Sequence, residues 1–316
     1  MKTYIILLLF IASQNIIGKT IEDTLDYNYS RYISYKDFCD ACGCSASGGG
    51  MGFSSMLNQN FVGVRYFNQS YTSRDGIFKN SPWIDENFNT VQVWARIPIG
   101  KRFQISALVP YHFHDRELSS GAQSIEGVGD ITVLGMYTIY QTQQDSTTFV
   151  HTVQAGAGLK APVGKYNSTN NGSVNPSFQL GTGSWDYLFA AEYVVKMKNF
   201  GLNTMFNYTF KTENEDDYQF GNQINYTGTL FYILEYNTVT FVPQAGLAGE
   251  AYGANKHFGE EVPDTEGEIL FSKVGLEAGR GKFSFGINAM LPIHQNLTGG
   301  MVEANYRWSV NFNYSL

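Results

Sequence analysis

From Val302 to Leu316 the chain alternates without a break. Val302, Ala304, Tyr306, Trp308, Val310, Phe312, Tyr314 and Leu316 are apolar or aromatic, whereas Glu303, Asn305, Arg307, Ser309, Asn311, Asn313 and Ser315 are polar. A period of two held this long outlasts the usual globular strand of about 5–6 residues. It fits a strand with lipid on one face and water on the other. The pattern recurs with Phe103, Ile105, Ala107, Val109, Tyr111 and Phe113 set against Gln104, Ser106, His112 and His114. Phe283, Phe285, Ile287, Ala289 and Leu291 repeat it, as do Val91, Val93, Ala95, Ile97 and Ile99 opposite Gln92, Trp94 and Arg96. In all, about twelve such segments are predicted, near 61–71, 88–98, 102–113, 129–140, 148–160, 185–195, 201–211, 219–234, 238–250, 268–278, 282–293 and 301–315. The expected class is all-β.

The connections between these segments alternate in length. Residues 72–87, 114–128, 161–184 and 251–267 make long links and 212–218 and 294–300 medium ones, while 99–101, 141–147, 196–200, 235–237 and 279–281 are short. Short periplasmic turns alternating with longer extracellular loops, with an even strand count, mark a bacterial outer-membrane barrel. The predicted architecture is therefore a transmembrane antiparallel β-barrel of about 12 strands over residues 59–316, with both ends in the periplasm. A soluble sandwich would have shorter strands and turn its aromatic residues towards a protein core. At the N-terminus, Lys2 precedes the apolar run Tyr4–Ala12, followed by small and polar residues up to Gly18. That run is too short for a spanning helix of about 20 residues and reads as a cleaved secretory signal over residues 1–18.

Composition narrows the class further. Aromatic residues make up 15% of the chain, charged ones 16%, and the net charge is −7. A disordered chain has few aromatics and a nucleic-acid binder is basic, so no nucleic-acid partner is expected; the expected surroundings are outer-membrane lipid. With the apolar parity assigned to lipid, the opposite parity directs Arg65, Arg96, Asp130, Lys160, Asp186, Glu192, Lys211, Glu250, Lys273, Glu277, Glu303 and Arg307 into the lumen. Both signs are present in similar number. Such a lining fits a self-neutralising network, not the single-sign ring of an ion-selective pore.

All three cysteines, Cys39, Cys42 and Cys44, fall in the segment 19–58, ahead of the Gly-rich tract Gly48–Gly52. This segment is expected either to plug the barrel or to hang in the periplasm, where a periplasmic partner could meet it. Three closely spaced thiols can converge on a soft ion, copper or zinc; in the oxidising periplasm one disulfide and a free thiol is the competing account. No cofactor follows with certainty from either. His112, His114, Asp115 and Glu117 could gather at the outer rim as acid and histidine groups, but no nucleophile motif accompanies them, so no enzymatic activity is expected.

Three stretches carry a resemblance. Gly127-Val128-Gly129-Asp130-Ile131-Thr132-Val133-Leu134-Gly135-Met136-Tyr137 is followed by Leu159-Lys160-Ala161-Pro162-Val163-Gly164-Lys165 and then by Asn175-Pro176-Ser177-Phe178-Gln179-Leu180-Gly181-Thr182-Gly183-Ser184-Trp185-Asp186-Tyr187. Their order, a GxGD strand start, a Pro-Gly strand end and a Gly-Thr-Gly-Ser lead into a strand, resembles the outer-membrane barrels named for the meta-pathway of phenol degradation, relatives of the fatty-acid and toluene transport barrels. The resemblance implies a channel for passive uptake of small hydrophobic or aromatic compounds. Periodicity alone leaves two other readings open, a periplasm-facing copper- or zinc-binding barrel and a structural barrel without transport.

Overall fold

A computed structural model describes residues 57, 60–75, 80–142, 149–167, 175 and 177–316. Along the chain run β1 (Phe61–Arg74), β2 (Trp83–Ile99), β3 (Phe103–Leu118), β4 (Gly121–Val128), β5 (Ile131–Gln141), β6 (Val150–Ala161), β7 (Asp186–Met197) and β8 (Phe200–Lys211). They are followed by β9 (Tyr218–Gln219), β10 (Gln223–Tyr232), β11 (Leu234–Tyr236), β12 (Val239–Tyr252), β13 (Lys256–His257), β14 (Glu260–Glu261), β15 (Gly267–Arg280), β16 (Phe283–Leu297) and β17 (Val302–Ser315). Each wall strand pairs antiparallel with its sequence neighbours, β1 pairs with β17 from Phe61↔Ser315 to Ser73↔Val302, and β10 pairs with β12, which closes the ring. β4 and β5 occupy successive lengths of β3, and β10 runs on into β11, so fourteen segments build a barrel of twelve walls.

Alternation explains why the ring closes as it does. Val64, Val93, Val109, Val133, Phe189, Phe206, Leu247, Val274, Ile287 and Phe312 all point outward, each between 40% and 60% exposed. A water-soluble surface tolerates no apolar belt that encircles the molecule, whereas the lipid face of a barrel requires one. Aromatics gather where the belt meets the short turns, with Phe103, Tyr137, Tyr140, Phe149, Phe200, Tyr232 and Phe283 all exposed. Trp185, Tyr187 and Phe210 mark the opposite rim. These are the two interfacial girdles of an outer-membrane barrel.

Two expectations change. The connection 114–128, read as a long loop, is instead a hairpin: β3 continues to Leu118 and returns at once as β4, with pairs from Leu118↔Gly121 to Tyr111↔Val128. Its β4 arm lacks a clean apolar alternation, because it carries Gly121, Gln123, Ser124 and Glu126 beyond the lipid belt. Segment 219–234 also starts late: β10 begins at Gln223, and Tyr218–Gln219 join β13 and β14 in a separate three-stranded sheet. In that sheet, on the side of the long loops, burial pushes the Tyr218 phenol up to about 12 while Asn255 Nδ2 donates to its oxygen at 2.8 Å.

Candidate functional site

The structure places Arg65, Arg96, Asp130, Lys160, Asp186, Glu192, Lys211, Glu250, Lys273, Glu277 and Arg307 in the barrel interior, all of them buried. Glu303 is a correction. Tyr71 pairs with Ala304 but Ser70 pairs with Tyr306, so Asn305 is an extra residue in β17. Such a bulge shifts the parity by one. Below it Arg307, Ser309, Asn311 and Asn313 face inward; above it Ala304 and Val302 do, and Glu303 is turned out and exposed. Cys39, Cys42 and Cys44, with the rest of segments 1–18 and 19–56, lie outside the described residues.

Asp130 is the hub of the inner network on the side of the long loops. It sits in the break between β4 and β5, where Gly129 N–H donates to the Pro110 carbonyl at 2.9 Å. Gly164 N–H donates to Asp130 Oδ1 at 3.0 Å, while Thr182 N–H and Thr182 Oγ1 donate to Oδ2 at 2.9 and 3.0 Å. Lys160 Nζ stands 3.3 Å from Asp130 and 2.5 Å from Asp186. The three separated stretches GVGD, Pro162-Val163-Gly164 and Gly181-Thr182-Gly183-Ser184 thus meet in one clamp that ties both ends of the β6–β7 connection to the wall. Two glycines are required by contact. A Cβ on Gly181 would stand 2.5 Å from Asp130 Oδ1, and one on Gly129 2.2 Å from His112 Nε2.

Held this way, the Phe178 end of the β6–β7 connection lies inside the barrel. Phe178 is fully buried, 6.0 Å from the Phe88 ring and 6.4 Å from His114, with the Arg116 guanidinium 4.1 Å over its face. A second anchor joins Asn175 Nδ2 to Glu86 at 2.6 Å, and Glu86 pairs with Arg116 at 3.6 Å. Across the lumen Arg307 grips Glu250 through both nitrogens, at 2.6 and 3.0 Å; Tyr252 donates to the same carboxylate, and Arg307 donates to the Tyr71 hydroxyl. In these pairs the charges neutralise one another in place, which is what a buried charge requires.

Parity reasoning missed the other half of the lining. The interior is also apolar. An outer cluster joins Phe67, Tyr71, Phe88, Phe178, Phe271, Met290 and Leu297. A second, along the wall from β1 to β8, joins Phe61, Trp94, Leu108, Leu134, Met136 and Met205. Near the short turns Val194, Phe231, Ile233 and Val242 pack together with Leu57 against them. The available signal was the company these residues keep: Phe88 and Trp94 share a parity with Thr90, Gln92 and Arg96. Beside the outer cluster, a cavity of about 60 Å³ is lined by Tyr71, Phe88, Asn175, Lys211, Phe220, Tyr252, Leu297 and Val302. An apolar cavity of about 150 Å³ accepts benzene, so a ring fits this one only if side chains give way.

The profile of a family described as "putative MetA-pathway of phenol degradation" matches residues 83–313. No curated protein sequence matches the chain. Among solved structures, an outer-membrane channel from Pseudomonas putida F1 superposes with a TM-score of 0.62 at 17% identity, over 81% of this chain and 95% of that one. The β domain of the Bordetella autotransporter BrkA reaches 0.48 at 9% identity, over 82% and 100%. The CymD monoaromatic hydrocarbon channel reaches 0.41 at 8%, over 82% and 89%.

Proposed function

The chain belongs to the family described as putative MetA-pathway of phenol degradation, and from that premise we propose that it is a passive outer-membrane channel for small hydrophobic or aromatic compounds. The observation that carries the reading is the apolar lining. Three clusters of inward-facing apolar side chains line the lumen on the side of the long loops, along the β1–β8 wall and near the short turns. A channel for hydrophilic solutes needs water along its wall, whereas an apolar solute gains roughly 25 cal/mol for each Å² it removes from water. Spread over several weak sites, such a gain lets a solute both enter and leave.

The charged groups have a different task in this reading. Arg307 is matched by Glu250 and Lys160 by Asp130 and Asp186, so these pairs hold one another in place and leave no single-sign ring to select ions. The clamp at Asp130 holds Phe178 across the outer cluster, so a solute passes by displacing aromatic side chains and not through standing water. Crystals soaked in 4-bromotoluene test this. Bromine peaks are expected among Phe88, Phe178 and Phe271 or among Trp94, Leu108 and Leu134; bromine confined to the lipid-facing surface would overturn it.

A further inference from the structure

Resting on the channel reading, we propose that the lumen holds a subsite for aromatic carboxylates, centred on Arg96. The other interior arginines have named partners: Arg307 has Glu250, Arg116 has Glu86 and Arg65 donates to Gln92 at 2.6 Å. Arg96 is different. It is 1% exposed, and among the described residues its Nε and Nη1 atoms have no hydrogen-bond partner and no carboxylate pairs with it. Its guanidinium carbon lies 5.8 Å from the centre of the Phe61 ring.

A buried guanidinium without a counter-charge is costly to maintain, and a buried polar group left unpaired calls for an occupant. The planar fork of N–H donors matches a carboxylate bidentately. What surrounds Arg96 specifies the rest of the ligand. Phe61 and Trp94 meet edge to face at 4.5 Å, and the Arg65 guanidinium lies 4.9 Å over Trp94. Gly63, between them in β1, admits this packing, since a Cβ there would stand 2.8 Å from Trp94 Nε1. Leu108 and Leu134 extend the apolar wall. These side chains are packed together, so a flat ring that parts them gains aromatic and aliphatic surface while its carboxylate reaches Arg96, a combination that neither a neutral hydrocarbon nor a simple anion uses in full.

Calorimetry on the full-length protein in detergent tests the subsite with three probes: benzoate, benzyl alcohol as its neutral counterpart, and acetate as the anion without a ring. Wild type should bind benzoate tightest. Arg96→Gln should weaken benzoate by about ten- to a hundredfold, the range for one charge-assisted hydrogen bond, and leave benzyl alcohol unchanged; Arg96→Lys should retain part of the benzoate affinity. Should Arg96→Gln fail to fold, the wild type still decides: benzoate must raise the heat-modification temperature above the value with equimolar benzyl alcohol. Equal affinity for benzoate and benzyl alcohol, or an Arg96→Gln variant that binds benzoate like wild type, would overturn the subsite and leave the channel reading standing. Failure of all ring-bearing probes to bind would overturn both.

Discussion

Replacing Asp130 by Asn should release the β6–β7 connection while sparing the barrel. In the native clamp Asp130 accepts from Gly164 N–H, Thr182 N–H and Thr182 Oγ1 and balances Lys160 together with Asp186. An amide at this position keeps one acceptor for Gly164 but presents a donor to Thr182 N–H, and it withdraws one of the two negative charges on Lys160. Removing one partner of a buried pair costs about 3–5 kcal/mol. Since Asp186 still stands 2.5 Å from Lys160, the lower end applies, about 3 kcal/mol. At about 1.4 kcal/mol per tenfold, the open population of the connection should rise by roughly a hundredfold. Hydrogen exchange read by mass spectrometry over residues 161–185 measures that rise directly, because it tracks local opening. Adding Lys160→Met should recover part of the loss, as a double-mutant cycle isolates coupling within one network. Exchange at Gly164 and Thr182 that stays within threefold of wild type, with the strands weakened instead, would refute the clamp.

Four further outcomes are expected. Ile287→Arg, on the lipid face at mid-strand, should cost about 2–4 kcal/mol and impair insertion, whereas Ser309→Ala, facing inward, should be mild in a heat-modifiable mobility assay. Phe178→Ala should widen the outer cluster and raise the flux of two-ring aromatics such as naphthalene in a labelled-uptake assay, with the barrel's heat stability falling by less than the 3–5 kcal/mol typical of a core Phe→Ala change. Trypsin added to intact cells should cut at Lys165 in the β6–β7 connection and not at Lys101 or Lys198 in the short turns; external cleavage at either of the latter would reverse the topology. Metal analysis of the reduced protein decides the thiols: stoichiometric copper or zinc that is lost from the Cys39→Ser, Cys42→Ser, Cys44→Ser triple variant assigns a metal site, and a single free thiol in the oxidised protein assigns a disulfide.

The wall was legible because a single rule generates it. Every strand that crosses lipid must alternate, so Val302–Ser315 and Phe283–Leu297 announce themselves, and the lengths of the connections between strands order them into up and down. The rule fails where its premise does. The extra residue at Asn305 flips the parity and carries Glu303 outward, and no local propensity marks that bulge. The β3–β4 hairpin rises past the lipid belt, where nothing enforces an apolar face. Equating apolar with lipid also hid the lining, because Phe88, Leu108 and Phe271 are apolar and point inward, as does Trp94, which parity alone sets with Gln92 and Arg96. The clamp was visible only as glycine-rich fragments around Asp130, Lys160 and Thr182; their convergence is a property of the ring, which brings residues 130, 164 and 182 within hydrogen-bond distance.

Uptake by cells with an intact lipopolysaccharide leaflet tests the central claim most directly, with labelled toluene and labelled arabinose supplied to cells carrying the wild-type chain, the Leu134→Gln variant or no chain. Leu134 is 1% exposed in the middle apolar cluster, so an amide there interrupts the lining without touching the clamp. Wild type should speed toluene uptake and leave arabinose at the level of cells without the chain, and Leu134→Gln should lower the toluene rate. Arabinose uptake raised by the wild-type chain, with toluene unaffected by either the chain or the variant, would contradict the account.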